Sequence, residues 1–99
     1  MAGGLSTDLD DVRVRPYFLW DELLTVGELH ERLSSAPAPE RARLLGKILR
    51  EARDTDVWRF TTPDEVARLW PEIAKYLGLR RRFWEFLLAE WRSGGLLGE

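Results

Sequence analysis

LRRRFWEFLLAEWRS, residues 79–93, is the stretch whose pattern decides the fold class. At about 100° per residue, Trp84, Leu87, Leu88 and Trp91 share one helical face at i, i+3, i+4 and i+7. Leu79, Phe83 and Phe86 occupy an adjoining face, which leaves Arg81, Arg82, Glu85, Ala89 and Arg92 as the polar strip. A helix with so narrow a wet side is normally surrounded by others. The spacing therefore predicts a central or interface helix over 79–93, in an all-α domain of four to five helices packed around it.

Toward the amino terminus the same periodicity recurs with clear punctuation. PEIAKYL (71–77) reads as a short helix with Ile73, Tyr76 and Leu77 inward and Gly78 as its C-cap. Pro71 lacks an amide proton and disfavours a helical Trp70, so the helix before it breaks there. That helix opens on a capping box, with Thr62 as N-cap, Pro63 at N1 and Glu65 at N3. Val57, Trp58 and Phe60, just upstream, form a linker expected to plug one end of the bundle.

PERARLLGKILREAR (39–53) places Leu45, Ile48, Leu49 and Ala52 on one face and Arg43, Lys47 and Arg50 on the other. Gly46 costs about 1 kcal/mol relative to Ala in a helix interior, so a neighbouring backbone or ring is expected close to it. Before SSAPAP (34–39), a short helix starts at the capping box Thr25 and Glu28. RPYFLWDELL (15–24) holds Tyr17, Phe18, Leu19 and Trp20 without an intervening polar residue, a run that reads either as a buried crossing segment or as an aromatic anchor. Residues 1–12 are polar and glycine-rich and read as a flexible tail, leaving 13–97 as one helical domain with a loose end at LLGE.

A chain of 99 residues buries roughly 60–70% of its unfolded surface, enough for one core. With no cysteine there are no disulfides, thiol nucleophiles or Cys-ligated zinc, which fits a reducing compartment. MAGGLSTDLDD has no basic region followed by an apolar run, and no stretch nears 18 apolar residues, so neither a signal peptide nor a membrane span is expected and the cytoplasm is the expected location. The net charge of −2 argues against non-specific nucleic-acid binding as the main role. Its distribution is uneven, with residues 1–40 at −5 and residues 41–99 at +3.

The inventory for catalysis is thin. One histidine, His30, supplies neither a paired metal site nor a Ser-His-Asp arrangement, and Asp54 with Asp56 reads as a turn lacking a third ligand. No phosphate-cradling glycine loop is present, and neither enzyme activity nor a cofactor is expected. Two basic groups remain, Arg43, Lys47 and Arg50 on helix 39–53 and Arg80, Arg81 and Arg82 opening helix 79–93. Arginines in a first turn oppose the positive end of the helix dipole, which makes the second group the more suggestive.

RPYFLWD (15–21), LLGKILREARDTDVWRFTTPDEVARLWP (44–71) and RRRFWEFLLAEWR (80–92) together resemble a family of short bacterial proteins encoded beside abortive-infection-type nucleotidyltransferase toxins. Trp58, Phe60, Thr62, Pro63, Trp70, Pro71, Phe83 and Trp84 carry the resemblance, and all of them read as core or caps. It implies an antitoxin-like partner role by genomic analogy. The chain has neither the length nor the strands of the winged-helix DNA-binding half found in the usual partners of such toxins.

The expectation is a non-enzymatic, protein-binding accessory factor, with Tyr17, Trp20, Arg81, Arg82 and Phe86 as partner-binding residues because Trp, Tyr and Arg dominate hot spots. The alternative is a small nucleic-acid-binding regulator using Arg43, Lys47, Arg50 and Arg80 on the basic faces of helices 39–53 and 79–93. A third reading is a homodimer that buries the second apolar face of helix 79–93.

Overall fold

The first helix shows how tightly local chemistry fixes the architecture. The structure, a computed structural model, describes residues 5–95. Helix α1 (Val26–Ser35) begins at Thr25, whose hydroxyl accepts from the Glu28 amide at 3.2 Å while the Glu28 carboxylate accepts from the Thr25 amide at 2.9 Å. The two remaining donors of that first turn are met by upstream backbone: Val26 donates to the Val14 carbonyl at 2.8 Å and Gly27 to that of Val12 at 3.0 Å. A helix start thus has its free amides satisfied by a segment that composition alone assigns to a tail and its edge.

That segment is ordered by more than the helix start. Strand β1 (Leu5–Ser6) pairs in parallel with β2 (Arg15–Pro16), and Leu9 between them is buried in the core. Residues 5–12 therefore lie against the helices where glycine and aspartate content predicted a free tail, and the two strands depart from an all-helical expectation. The backbone pairing carries no alternation of side chains, so two-residue strands leave no trace in hydropathy. The expectation for residues 1–4 and for the end LLGE falls outside the described residues.

Helix α2 (Ala38–Glu51) is the hub. It buries Ala42, Leu44, Leu45, Gly46, Lys47, Ile48 and Leu49, and more of the other elements pack against it than against any other. Next come α3 (Asp54–Val57), α4 (Pro63–Arg68), α5 (Trp70–Ile73), two 3-10 turns (Ala74–Tyr76 and Gly78–Arg80) and α6 (Arg81–Ser93). The expected arrangement around residues 79–93 is corrected by this: α6 buries only Trp84 and Leu88. Hydropathy reports how apolar a helix is, whereas the hub is set by how many of its sides meet neighbours. α6 lies at the edge of the described chain and has core on one side only.

Gly46 has the reason that its position demanded. A Cβ there would sit 2.6 Å from the Tyr76 Cβ and 3.2 Å from its Cγ, so the Tyr76 ring rests where a side chain would be. At the second capping site Thr62 accepts from the Glu65 amide at 3.2 Å, but the Glu65 carboxylate accepts from the Thr61 hydroxyl at 2.6 Å, so the expected box is only half made. The break expected at Pro71 falls two residues earlier, at Leu69, and Pro71 sits inside the first turn of α5, where its missing amide costs nothing. Gly78 takes a φ of +54°, the left-handed conformation that separates the Ala74–Tyr76 turn from the Gly78–Arg80 turn leading into α6. Among the described residues no helix is long and apolar enough to cross a membrane.

Candidate functional site

The join between α2, α3 and α6 determines which aromatic side chains are spent inside the fold and which are left outside. Within α2, the carbonyl of Leu49 should accept from the amide four residues on, that of Arg53. Arg53 instead donates to the Tyr17 hydroxyl oxygen at 2.7 Å, and the same hydroxyl donates to Asp56 Oδ2 at 2.6 Å. The freed Leu49 carbonyl accepts from the indole of Trp84 at 2.9 Å, in a buried hydrogen bond. Two aromatic residues far apart in sequence thus complete the end of one helix. Burial of the Tyr17 phenol raises its pKa above the ordinary tyrosine value, with the Asp56 carboxylate adding to the effect.

From Trp84 an aromatic series runs outward. Phe83 meets Trp84 edge-on at 5.2 Å, and Trp58 packs against Trp84 at 5.9 Å and Trp91 at 5.5 Å. The outer face of α6 is not covered: Phe83 is 37% exposed, Phe86 59%, and Leu79 at the preceding turn is wholly exposed. Phe83 and Phe86 stand three residues apart on α6, and Leu79, in the turn that leads into the helix, adds a third exposed apolar group beside its start. Exposed apolar groups that are scattered need no explanation, whereas neighbouring ones make this face a candidate interaction surface.

The arginines around that face divide into engaged and free. Arg80 pairs with Asp54 at 2.6 Å and lies 5.0 Å over the Phe83 ring, and Arg81 pairs with Glu85 at 3.2 Å. Arg82 and Glu90 are exposed and form no ion pair among the described residues. They stand four residues before and four after Phe86, on the same i±4 ridge.

A second patch lies elsewhere on the surface. Trp20 is 58% exposed, with Lys47 Nζ 5.3 Å from its ring, and exposed Leu23 follows three residues on. Here Arg43, Lys47 and Arg50 converge with Tyr76 on one cleft of about 210 Å³. Each of the three cations faces a carboxylate. Arg43 binds Glu40 at 2.8 Å and Glu22 at 3.2 Å, Lys47 pairs with Asp21, and Arg50 pairs with Glu51 at 2.9 Å and donates to the Tyr76 carbonyl. The hydrogen bonds from Arg43 and Lys47 hold Glu40 and Asp21 below their ordinary pKa values, and the carboxylates in turn raise that of Arg43. The local charge that phosphate would seek is therefore already neutralised.

The aromatic run 17–20 divides between core and surface. Phe18 and Leu19 are buried, Tyr17 is half-buried with its hydroxyl engaged internally, and Trp20 alone points outward. Of the residues expected to bind a partner, Phe86 and Arg82 lie together on α6, Arg81 lies on α6 but turns to Glu85, Trp20 belongs to the second patch, and Tyr17 is a structural strut. Leu79, Phe83 and Glu90 complete the α6 surface; the four-residue spacing of Arg82, Phe86 and Glu90 was the signal that would have found Glu90. Lys47, placed by periodicity on a wet face, is buried because Trp20 and Asp21 fold over it. His30 is exposed and stacks on Phe60 at 4.7 Å, and among the described residues no three His, Asp or Glu side chains gather as a metal site would require. Compared with protein-family models, curated proteins and solved structures, the chain matches none.

Proposed function

We propose that this chain is a non-enzymatic, protein-binding accessory factor of the cytoplasm, and that the outer face of α6 is its docking surface. The observation that carries the reading is the uncovered group of Leu79, Phe83 and Phe86 directly above a close-packed aromatic base. A rigid base matters for binding: anchors already held in place lose little freedom when a partner arrives. Arg82 supplies a charged rim beside Phe86, and exposed aromatic residues next to arginine are the usual composition of a hot spot. The mechanism is occlusion or scaffolding by shape and does not involve bond making.

The resemblance noted above names the partner to try first, a nucleotidyltransferase-like toxin for which this chain acts in the manner of an antitoxin. The test is purification of the tagged chain from its own cells, beside the Phe86→Asp and Leu23→Asp variants, with mass spectrometry of what co-elutes. One stoichiometric protein that is lost with Phe86→Asp and kept with Leu23→Asp supports the reading. Retention in both variants, with helicity unchanged, removes α6 from the account.

A further inference from the structure

We propose that the α6 face also pairs with a second copy of this chain, antiparallel about a two-fold axis beside Phe86, so that self-association masks the docking surface until a partner displaces it. This rests on the reading of α6 as a docking face and adds its regulation.

The sequence of that ridge is self-complementary. Arg82, Phe86 and Glu90 are evenly spaced along α6, with opposite charges at equal distances on either side of the exposed ring. A two-fold axis beside Phe86 brings Arg82 opposite the partner's Glu90 and, by symmetry, Glu90 opposite the partner's Arg82, with the two Phe86 rings between them. A parallel arrangement would instead set like charges together. Both side chains are exposed, whereas Arg80, just before this helix, and Arg81, its first residue, are held by Asp54 and Glu85.

The helix dipole points the same way. Arg82 sits in the first turn of α6, near its positive end, and Glu90 in the last turn, near its negative end, so each opposes the field of its own helix. An antiparallel neighbour places the opposite pole alongside each of them. The face is small: 13 residues make a helix about 20 Å long. It covers a few hundred Å² per copy, below the roughly 800 Å² per partner of stable complexes. Self-pairing is accordingly reversible and gives way to any partner offering a larger interface.

The experiment is sedimentation velocity on the full chain from about 1 to about 500 µM, the range in which interfaces at the small end associate. The proposal expects a reversible shift from 11.5 kDa toward twice that mass. Arg82→Glu and Glu90→Arg should each weaken self-association about tenfold or more, since each sets like charges opposite one another. The double variant should return to within about threefold of the original, because the pairs are restored with their signs exchanged. Both single changes suit the dipole of α6 itself, so weakening cannot be blamed on a melted helix, and circular dichroism checks this.

A chain that stays monomeric at the highest concentration overturns the proposal, as does a double variant as weak as the singles. The two readings fail separately. A monomer that still loses its partner with Phe86→Asp defeats self-pairing alone. A charge-swap rescue in a chain that captures no foreign protein supports self-pairing and defeats the accessory role.

Discussion

Replacing Trp84 by Phe tests the join on which the exposed face rests. The indole nitrogen donates to the Leu49 carbonyl at 2.9 Å inside the core, and Trp84 is fully buried. Phenylalanine keeps the aromatic contacts with Phe83 and Trp58 in kind but leaves that carbonyl without a partner, because the amide that would normally serve it donates to Tyr17. An orphaned buried carbonyl costs about 1–3 kcal/mol. The smaller ring also leaves a gap of roughly 40 Å³, worth about 1 kcal/mol at the usual cavity coefficient. Together the loss is about 2–4 kcal/mol, and each kcal/mol moves the midpoint of a domain this size by about 4–8 °C. Urea and thermal unfolding followed by circular dichroism measure it, with Trp58→Phe as the control. Trp58 is partly exposed and touches Trp84 and Trp91 through its rings, so its loss should cost under about 1.5 kcal/mol. A Trp84→Phe variant within about 1 kcal/mol of the original would refute the idea that the indole completes the end of α2.

Further outcomes follow from other contacts. Gly46→Ala should destabilise by about 1–3 kcal/mol despite alanine's helix propensity, since its Cβ would meet Tyr76 at 2.6 Å; a rise in the urea midpoint would show that Tyr76 moves aside. Tyr17→Phe should cost about 1–3 kcal/mol near neutrality by stripping partners from the Arg53 amide and Asp56. Because the Tyr17 pKa is raised in the fold, its contribution is complete below the ordinary value of about 10 and disappears as pH rises through the higher folded value. The gap between original and variant should therefore close in strong alkali, and a constant gap would contradict the assignment. Asp21, Glu28 and Glu40 are held below their ordinary values by Lys47, the Thr25 amide and Arg43 respectively. Their stabilisation is present above the ordinary carboxylate range and is lost as pH falls through their lower folded values, so the urea midpoint should drop from about pH 5 downward. A midpoint unchanged to about pH 3 would contradict it.

Sequence pattern located the helices well where the signal was local. Thr25 with Glu28, Thr62, Pro71 and Gly78 act within a turn of themselves, and the structure places element ends within two residues of each. Gly46 announced a close neighbour without naming Tyr76, because the approaching residue lies 30 positions away and only the fold brings it there. The choice of hub failed for a related reason. Two amphipathic helices compete for the centre, and Lys47 made α2 look one-sided although its charge is folded under Trp20 and met by Asp21. The candidate surface was half legible. Phe86 follows from the second apolar face of α6 and Arg82 from the basic run at its start, but Tyr17 and Trp20 looked equivalent in sequence and were separated by one hydrogen bond to Asp56. Likewise Arg80 and Arg82 are identical in type, and the carboxylate that distinguishes them, Asp54, belongs to another element.

The central claim is that the outer face of α6 is where other proteins meet this chain. Site-specific photo-cross-linking in the native cell tests it most directly, with a photoreactive phenylalanine analogue placed at Phe86 in one strain and at Leu23, also exposed, in another. A discrete protein adduct from position 86, to a partner or to a second copy, with none from position 23, is the predicted result. Adducts from position 23 and none from position 86 would contradict the account.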